Sequence, residues 1–596
     1  MKQYKLLNNI FGWLAFLIAA YTYLSTVEPT ASFWDCPEFI TCADKGEVGH
    51  PPGNTFFNLT GRFFVNFAGG DVTQAAVWVN RMSAMFSAAT ILFLFWTITA
   101  LTKKFVCRNN KHAGTDREEM SWAQIITILG AGMVGALAYT WSDTFWFSAV
   151  EAEVYAFSSF MTALVFWLIL KWEQKSNGVE GDRYIILLAY IIGLSIGVHL
   201  LNLLTLPAIV LVYYFKKHPN ATLIGSCGAL LLSIALVFFI LYGMIPGMVK
   251  LASATELFFV NSLGFSFNTG TGFYFFFILI FLAVGIFLMY RKQTSAMTQR
   301  IVLILGIILS GLPFAGDGWA FGIVISLVLA GLILYFGERI NARLGSNILL
   351  CLLTILVGYS TFAQIIIRSS AQLPMDQNSP DEIFSFTKYL NREQYGESPL
   401  FSGQTFASSV MRDKNGQVLT EVGSPLYGKK VKTNPNEPDR YEQTGNREKY
   451  KYNYTTLFPR MYSSQSNHIS GYKEWCGWDE KDPGHNVIGK DGKAIKGIPT
   501  FADNMTYFFR YQVNFMYWRY FMWNFSGRES DVQSYGEVDR GRAICGIPVL
   551  DELLFDVPNQ STLPSSIAEN KGHNVFYMLP LLLGIIGSQQ DRHLRT

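Results

Sequence analysis

Apolar stretches of roughly one bilayer thickness, set apart by short polar loops, fill the first 366 positions and then cease. They run over approximately 7–26, 82–102, 122–140, 154–171, 184–200, 203–216, 221–243, 273–290, 301–316, 320–336 and 346–366. A hydrocarbon core about 30 Å thick needs roughly 20 apolar residues per helix, since backbone N–H and C=O groups in lipid must bond within the segment. The pattern therefore predicts eleven transmembrane helices, with 184–200 and 203–216 nearly continuous. From 367 to 572 it gives way to polar text with turn clusters such as Asn434-Pro435-Asn436-Glu437-Pro438, which reads as a folded mixed α/β domain outside the membrane. A shorter apolar run at 574–587 precedes the polar tail 588–596. It is either a twelfth span completed by flanking residues or the mark of a shortened version of a longer protein. The expected fold class is thus an α-helical polytopic membrane protein of about 11–12 transmembrane helices with a mixed α/β outer domain. Its expected divisions are 1–366, 367–572 and 573–596.

Charge distribution sets the orientation. Lys2, Lys5, Lys103, Lys104, Arg108, Lys111, Arg117, Lys171, Lys175, Arg183, Lys216, Lys217, Arg291, Lys292, Arg300, Arg339 and Arg343 fall on one side of the predicted spans, against Lys45, Arg62, Arg81 and Lys250 on the other. Cytoplasmic loops concentrate Lys and Arg, so the N-terminus is expected in the cytoplasm and loop 27–81 outside. The first stretch has the basic start of a signal peptide, but no small-residue cleavage site follows Leu24, so it reads as a retained helix. Only 15% of the 596 residues are charged, where about 25% is usual for soluble proteins. This excludes a soluble globule, a disordered polymer and a coiled coil, and a net charge of +3 gives no reason to expect nucleic acid.

The candidate chemistry gathers in the outer loops. Asp35 and Glu38 stand three apart just beyond the first helix, where a carboxylate facing a wet cavity is useful and one facing lipid is expensive. The same spacing, with Pro37 between, is also that of a capping box. His50 precedes Pro51-Pro52-Gly53 and is either a turn residue or part of a site. Phe56, Phe57, Leu59, Phe63, Phe64 and Phe67 recur at helical spacing, as in a helix lying in the membrane interface. The second outer loop carries Glu151 and Glu153 at the entry to a helix. Helical geometry sets them about 200° apart and lets Glu151 share a face with Tyr155, so one glutamate should face the cavity and the other find a local partner. His199 and Asn202 lie near the outer end of the fifth stretch, as site residues or as a histidine satisfied by backbone. Arg81 and Arg62 can pair with a lipid phosphate or snorkel to headgroups. Cys36, Cys42, Cys476 and Cys545 permit an outer disulfide but lack metal-ligand spacing. The aromatic segment Tyr507 to Trp523 reads as a core or membrane-facing helix, or as a sugar or acceptor platform.

Val27–Cys36, Glu47–Gly53, Val150–Tyr155, Phe458–Ser463 and Tyr517–Phe525 resemble the bacterial protein O-mannosyltransferase-like membrane proteins of glycosyltransferase family 117, in the GT-C superfamily. The chain departs from that family at Pro37, where glycine is usual, and in ending earlier. The resemblance implies a bacterial inner-membrane enzyme with a periplasmic site and domain. It implies Asp35 as catalytic carboxylate with Glu38 as its neighbour, and phosphate support that suits Arg81 or His199; with His50, Glu151, Glu153, Tyr155 and Asn202, read from their positions in the outer loops, these two are the substrate-binding candidates. The implied donor is a polyprenyl-phosphate-linked sugar and the acceptor a Ser or Thr hydroxyl of a secreted or periplasmic protein, with inversion at the anomeric carbon. A divalent metal is left open, because relatives differ in using one. Two other classes compete. A flippase for polyprenyl-linked glycans would need ionisable residues at mid-membrane depth, and a non-catalytic scaffold would bind a partner through the outer domain.

Overall fold

A computed structural model describes residues 2–107, 120–175, 178–291, 293–314, 318–396, 398–478, 485–530, 532, 534, 541–557, 559, 564–565, 569–570 and 572–593. Arg108, Lys111, Arg117 and Lys292, counted above for orientation, lie outside them. The chain divides into two compact units, residues 1–395 with 424–446, and residues 396–423 with 447–596.

The first unit is helical. Its helices are α1 (Lys2–Ser25), α2 (Cys36–Lys45), α3 (Thr55–Val65), α4 (Ala75–Val106), α5 (Trp122–Thr140), α6 (Asp143–Ala149), α7 (Val154–Glu173), α8 (Val179–Ile196), α9 (Leu206–Lys217), α10 (Leu223–Phe238), α11 (Ile245–Leu257), α12 (Thr269–Tyr290), α13 (Ala296–Leu309), α14 (Trp319–Tyr335), α15 (Ala342–Tyr359), α16 (Ala363–Ser369) and α17 (Ile383–Leu390). Each predicted apolar stretch falls on a helix. Among the described residues, however, only eight helical segments are long and apolar enough to cross a membrane by themselves. Two of the other predicted spans, α13 and α14, are apolar but shorter, and the third, α8, opens with Glu180, Asp182 and Arg183. Conversely, 223–262 is one helical segment of 40 residues, about 60 Å at 1.5 Å per residue, twice the bilayer core. Two π-helical turns, Phe239–Met244 and Phe258–Ser262, interrupt its α-helical geometry.

α4 packs against α1, α5 and α7, while α8 packs on α15. The α8–α15 approach is backbone to backbone: a Cβ on Gly358 would come within 2.5 Å of Leu194 N. Small residues permit this where side chains would hold helices apart.

Glu256, fully buried on α11, ties the start of α12 and Tyr441 to the bundle. It accepts from the backbone N–H of Asn268 (2.5 Å) and Thr271 (2.8 Å), and from Tyr441 Oη (3.1 Å). Removing the carboxylate takes the acceptor from the Asn268 and Thr271 N–H groups and from the Thr271 and Tyr441 hydroxyls, and a buried donor left unsatisfied costs about 1–3 kcal/mol. Glu256→Ala is therefore expected to destabilise the first unit by about 3 kcal/mol, read as a lowered unfolding midpoint in detergent, with Glu256→Gln falling between the two.

The second unit holds short two-stranded antiparallel ladders, 402–403 with 456–457, 485–488 with 494–498 and 527–528 with 574–575, among the helices Ser466–Cys476, Phe501–Tyr507, Pro548–Phe555 and Leu579–His593. The aromatic segment is helical, largely in π-helical turns. Tyr507, Phe515, Met522 and Trp523 are buried, while Phe509, Tyr517, Trp518 and Tyr520 are exposed. All seven cysteines are free thiols, so the disulfide permitted by their count does not form.

Candidate active site

α2 begins immediately after Asp35, with Pro37 in its first turn. The capping box does not form: the Asp35 carboxylate makes no hydrogen bond to the helix N-terminus. Instead the ligand-capable atoms of Asp35, Glu38 and His50 all lie within 4.8 Å of one another. Glu38 Oε1 accepts the backbone N–H of His50 and sits 3.0 Å from His50 Nδ1. A Cβ at Gly49 would collide with Glu38 Oε1, so glycine there is what allows the loop to close on the carboxylate. The His50 ring lies against Phe39 at 5.8 Å.

A strap of residues from beyond α15 holds this loop. Tyr389 Oη donates to the carbonyls of Gly49 (2.7 Å) and His50 (3.1 Å), and Arg368 Nε donates to Gly46 O (2.7 Å). Val48 pairs in parallel with Asp376. The sequence reading assigned residues from 367 onward to a separate outer domain. Their partners lie more than 300 positions upstream, and no local pattern signals them.

The electrostatics follow from this geometry. Burial pushes the Glu38 carboxyl up, but the hydrogen bonds from the His50 ring and backbone outweigh it and hold Glu38 below the usual range. The bond to Glu38 raises the His50 imidazole, with burial and Arg392 opposing and the charges of Glu38 and Asp35 adding.

Glu151 and Glu153 are not on a helix, because α7 starts one residue later. The two do separate in role. Glu151 is buried and accepts from Ser32 Oγ at 2.6 Å, while Glu153 makes no capping bond and feels both Asp35 and His50. Burial first, then the charges of Glu151 and Asp35, push the Glu153 carboxyl up to about 7. A raised carboxyl favours the folded state at low pH and loses that advantage as pH climbs from the unfolded value of 4.5 through 7. Glu153→Gln should therefore raise the unfolding midpoint at pH 8 and leave it unchanged at pH 4, as differential scanning fluorimetry would read.

Since Glu151 lies outside the helix, it shares no face with Tyr155, whose ring is 5.7 Å from His199 instead. Nδ1 of His199 accepts the Leu201 N–H at 3.1 Å, which leaves Nε2 to carry the proton in the neutral ring, and burial lowers its pKa. Asn202 is buried and engaged: its Oδ1 accepts from Thr162 at 2.7 Å and its Nδ2 donates to His199 O at 3.3 Å, which positions the histidine turn. Arg81 lies over the Trp78 ring at 4.6 Å and does not line the cavity beside His50. Its neighbour Asn80 is fully buried and donates to the carbonyls of Glu28 and Thr30, anchoring the loop that carries Ser32 and Asp35. α3 is amphipathic, with Phe57 buried and Phe63 exposed.

Arg392, unnoticed in the sequence, is the cation whose charge reaches both His50 and His199. Beside Glu38 and His50 is a cavity of about 20 Å³, room for about one water. A second, apolar cavity of about 100 Å³ is lined by Pro52, Leu200, Tyr359, Phe362 and Leu390.

The fold and site define a polytopic helical membrane protein with a carboxylate–histidine cluster in its first interhelical loop. Residues 35–222, which contain Asp35, Glu38 and the substrate-binding candidates named from the sequence, match the family described as the protein O-mannosyl-transferase TMEM260 N-terminal domain. Residues 396–509 match a family of unknown function. Among curated proteins, the chain is 23% identical over 208 residues to the protein O-mannosyl-transferase tmem260 of Dictyostelium discoideum, covering 34% of this chain and 22% of that one. It is 26% identical over 163 residues to protein O-mannosyl-transferase TMEM260 of Mus musculus, covering 27% and 19%. The matched segments thus span about a fifth of those relatives' length. No solved structure matches.

Proposed function

We propose that the chain is a membrane glycosyltransferase that moves a mannose-like sugar from a polyprenyl-phosphate donor to Ser or Thr hydroxyls of translocated proteins. The relatives' names support the O-mannosyl transfer and the protein acceptor. The observation that carries the site is the convergence of Asp35, Glu38 and His50 within 4.8 Å, next to Glu153. In this reading the cluster faces the periplasm of a bacterial inner membrane, on the side of the loops poor in Lys and Arg.

Asp35 is the general base. Its exposed carboxylate takes the proton of the acceptor hydroxyl as that oxygen attacks the anomeric carbon, the bond from that carbon to the phosphate oxygen breaks, and the phosphate leaves with the electron pair. A single displacement inverts the anomeric centre. Glu38 orients His50 and favours its protonated form, while Arg392 and the Nε2–H of His199 offset the negative charge on the departing phosphate. Arg392 takes this role in preference to Arg81, because its charge reaches both His50 and His199. The first isoprene units fit the apolar cavity by Pro52 and Leu200. Two carboxylates and an imidazole are also a donor set that fits a divalent cation, which bound there would supply positive charge toward the phosphate.

The test is turnover by the purified full chain of polyprenyl-phosphate mannose with a Ser/Thr peptide, with and without chelator. Formation of mannosyl peptide in the α/β configuration opposite to the donor supports the reading; donor that stays intact with every acceptor offered removes it.

A further inference from the structure

A large cavity of the first unit lies at the end of the helices remote from Asp35. It occupies about 990 Å³ between the first turns of α1 and the last turns of α4 and α7. α1 and α7 flank α4 there, and the space between them is bounded by Lys5, Lys103, Lys104 and Lys171. Glu173 is the one carboxylate among the described lining residues, and it is bound to Lys104. Indole rings form the deeper wall: Trp96 and Trp167 have centroids 5.7 Å apart, and Trp96 packs on Trp13 at 6.4 Å. Lys171 Nζ lies 5.2 Å over the Trp167 ring, and Asn8, Asn9 and Gln174 complete the polar lining.

This layering is graded by depth. Ammonium groups stand toward the helix ends, the amides of Asn8 and Asn9 and the indoles come next, and the apolar helix interior follows. The order matches a phospholipid molecule, with its phosphate outermost, then the glycerol esters, then the acyl chains. Lys5 and Lys171, set in a recess between transmembrane helices, attract an anionic phosphate, and the volume exceeds what an inorganic ion would fill. We infer that the recess between α1, α4 and α7 is a binding site for a phosphate anion, carried by the headgroup of an anionic phospholipid. The site is separate from the Asp35 cluster and does not depend on the transfer reaction proposed above.

The experiment is native mass spectrometry of the intact chain in mixed micelles, titrated with phosphatidylglycerol or phosphatidylcholine. The wild-type protein should retain phosphatidylglycerol in preference to phosphatidylcholine. The double variant Lys5→Gln/Lys171→Gln should weaken that retention about thirty-fold, at about fivefold per lysine, while Lys5→Arg/Lys171→Arg keeps it. Lys217→Gln, on a basic helix end outside the recess, should leave retention unchanged. Displacement of the lipid by millimolar inorganic phosphate would support the anion site and assign it to free phosphate rather than a headgroup. Equal retention of the two lipids, or an unaltered Lys5→Gln/Lys171→Gln protein with a wild-type unfolding midpoint, would overturn the inference. The arginine variant separates lost charge from lost folding.

Discussion

Asp35→Asn is expected to lower sugar transfer by about 10³-fold while the protein remains folded and inserted. General-base assistance is worth roughly 10²- to 10⁴-fold, and an amide cannot take the proton of the attacking hydroxyl. The variant is informative because of where the side chain sits. Asp35 is exposed and makes no capping bond to α2, so its replacement removes nothing that holds the helix. Its unfolding midpoint should match the wild type, within the roughly 0.5 kcal/mol usual for exposed positions. Donor binding, measured with a non-transferable polyprenyl-phosphate sugar analogue, should be retained. Transfer at the wild-type rate by Asp35→Asn would take the aspartate out of the mechanism and leave Glu153, with its near-neutral carboxyl, as the base.

The second large effect is expected at Glu38, which acts through His50. Glu38→Gln should reduce transfer about 10- to 100-fold, the range seen when a group that orients a functional histidine is lost. A purely structural role would move the amplitude alone. A positioning role also moves the pH profile, because Glu38 is the main cause of the raised His50 pKa. With the carboxylate gone, His50 should lose its proton at lower pH and the alkaline limb of the rate profile should shift down. Stability follows the same pair. The Glu38 contribution is present above its unfolded pKa of 4.5 and is lost as pH falls through its lower folded value. The His50 contribution is full below its unfolded pKa of 6.5 and is lost as pH rises through its higher folded value. Between pH 4.5 and 6.5 both are in force, so the destabilisation by Glu38→Gln should be largest there.

Much of the site could be read before any coordinates because its parts are local. Asp35, Glu38 and His50 fall within sixteen consecutive residues, and a short helix followed by a proline-rich bend brings such neighbours together whatever the rest of the chain does. Glu153 and His199 are also flagged by position, as ionisable groups at helix ends in an apolar chain. The helical face assigned to Glu151 and Tyr155 failed for a local reason: α7 starts at Val154, and outside the helix the 3.6-residue period does not apply. Arg81 has its guanidinium over Trp78, one turn away, a contact that position along the chain permits but does not announce. Tyr389, Arg368 and Arg392 carry no sequence signal. They look like ordinary polar residues in a polar region, and their role exists only once α15 has returned the chain to the first loop.

What the sequence determined by itself is the helical membrane architecture and the residues able to do chemistry. Hydrocarbon demands backbone bonding within each segment, and that constraint is written in runs of apolar residues along the chain. Only the tertiary structure decided how those residues divide their roles, pairing Glu38 with His50, giving Glu151 to Ser32 and leaving Asp35 and Glu153 to face the cluster. It alone brought Arg392 and the Tyr389 strap to the loop. Electrostatic and hydrogen-bond partners act over a few ångströms in space, a distance that chain separation does not encode.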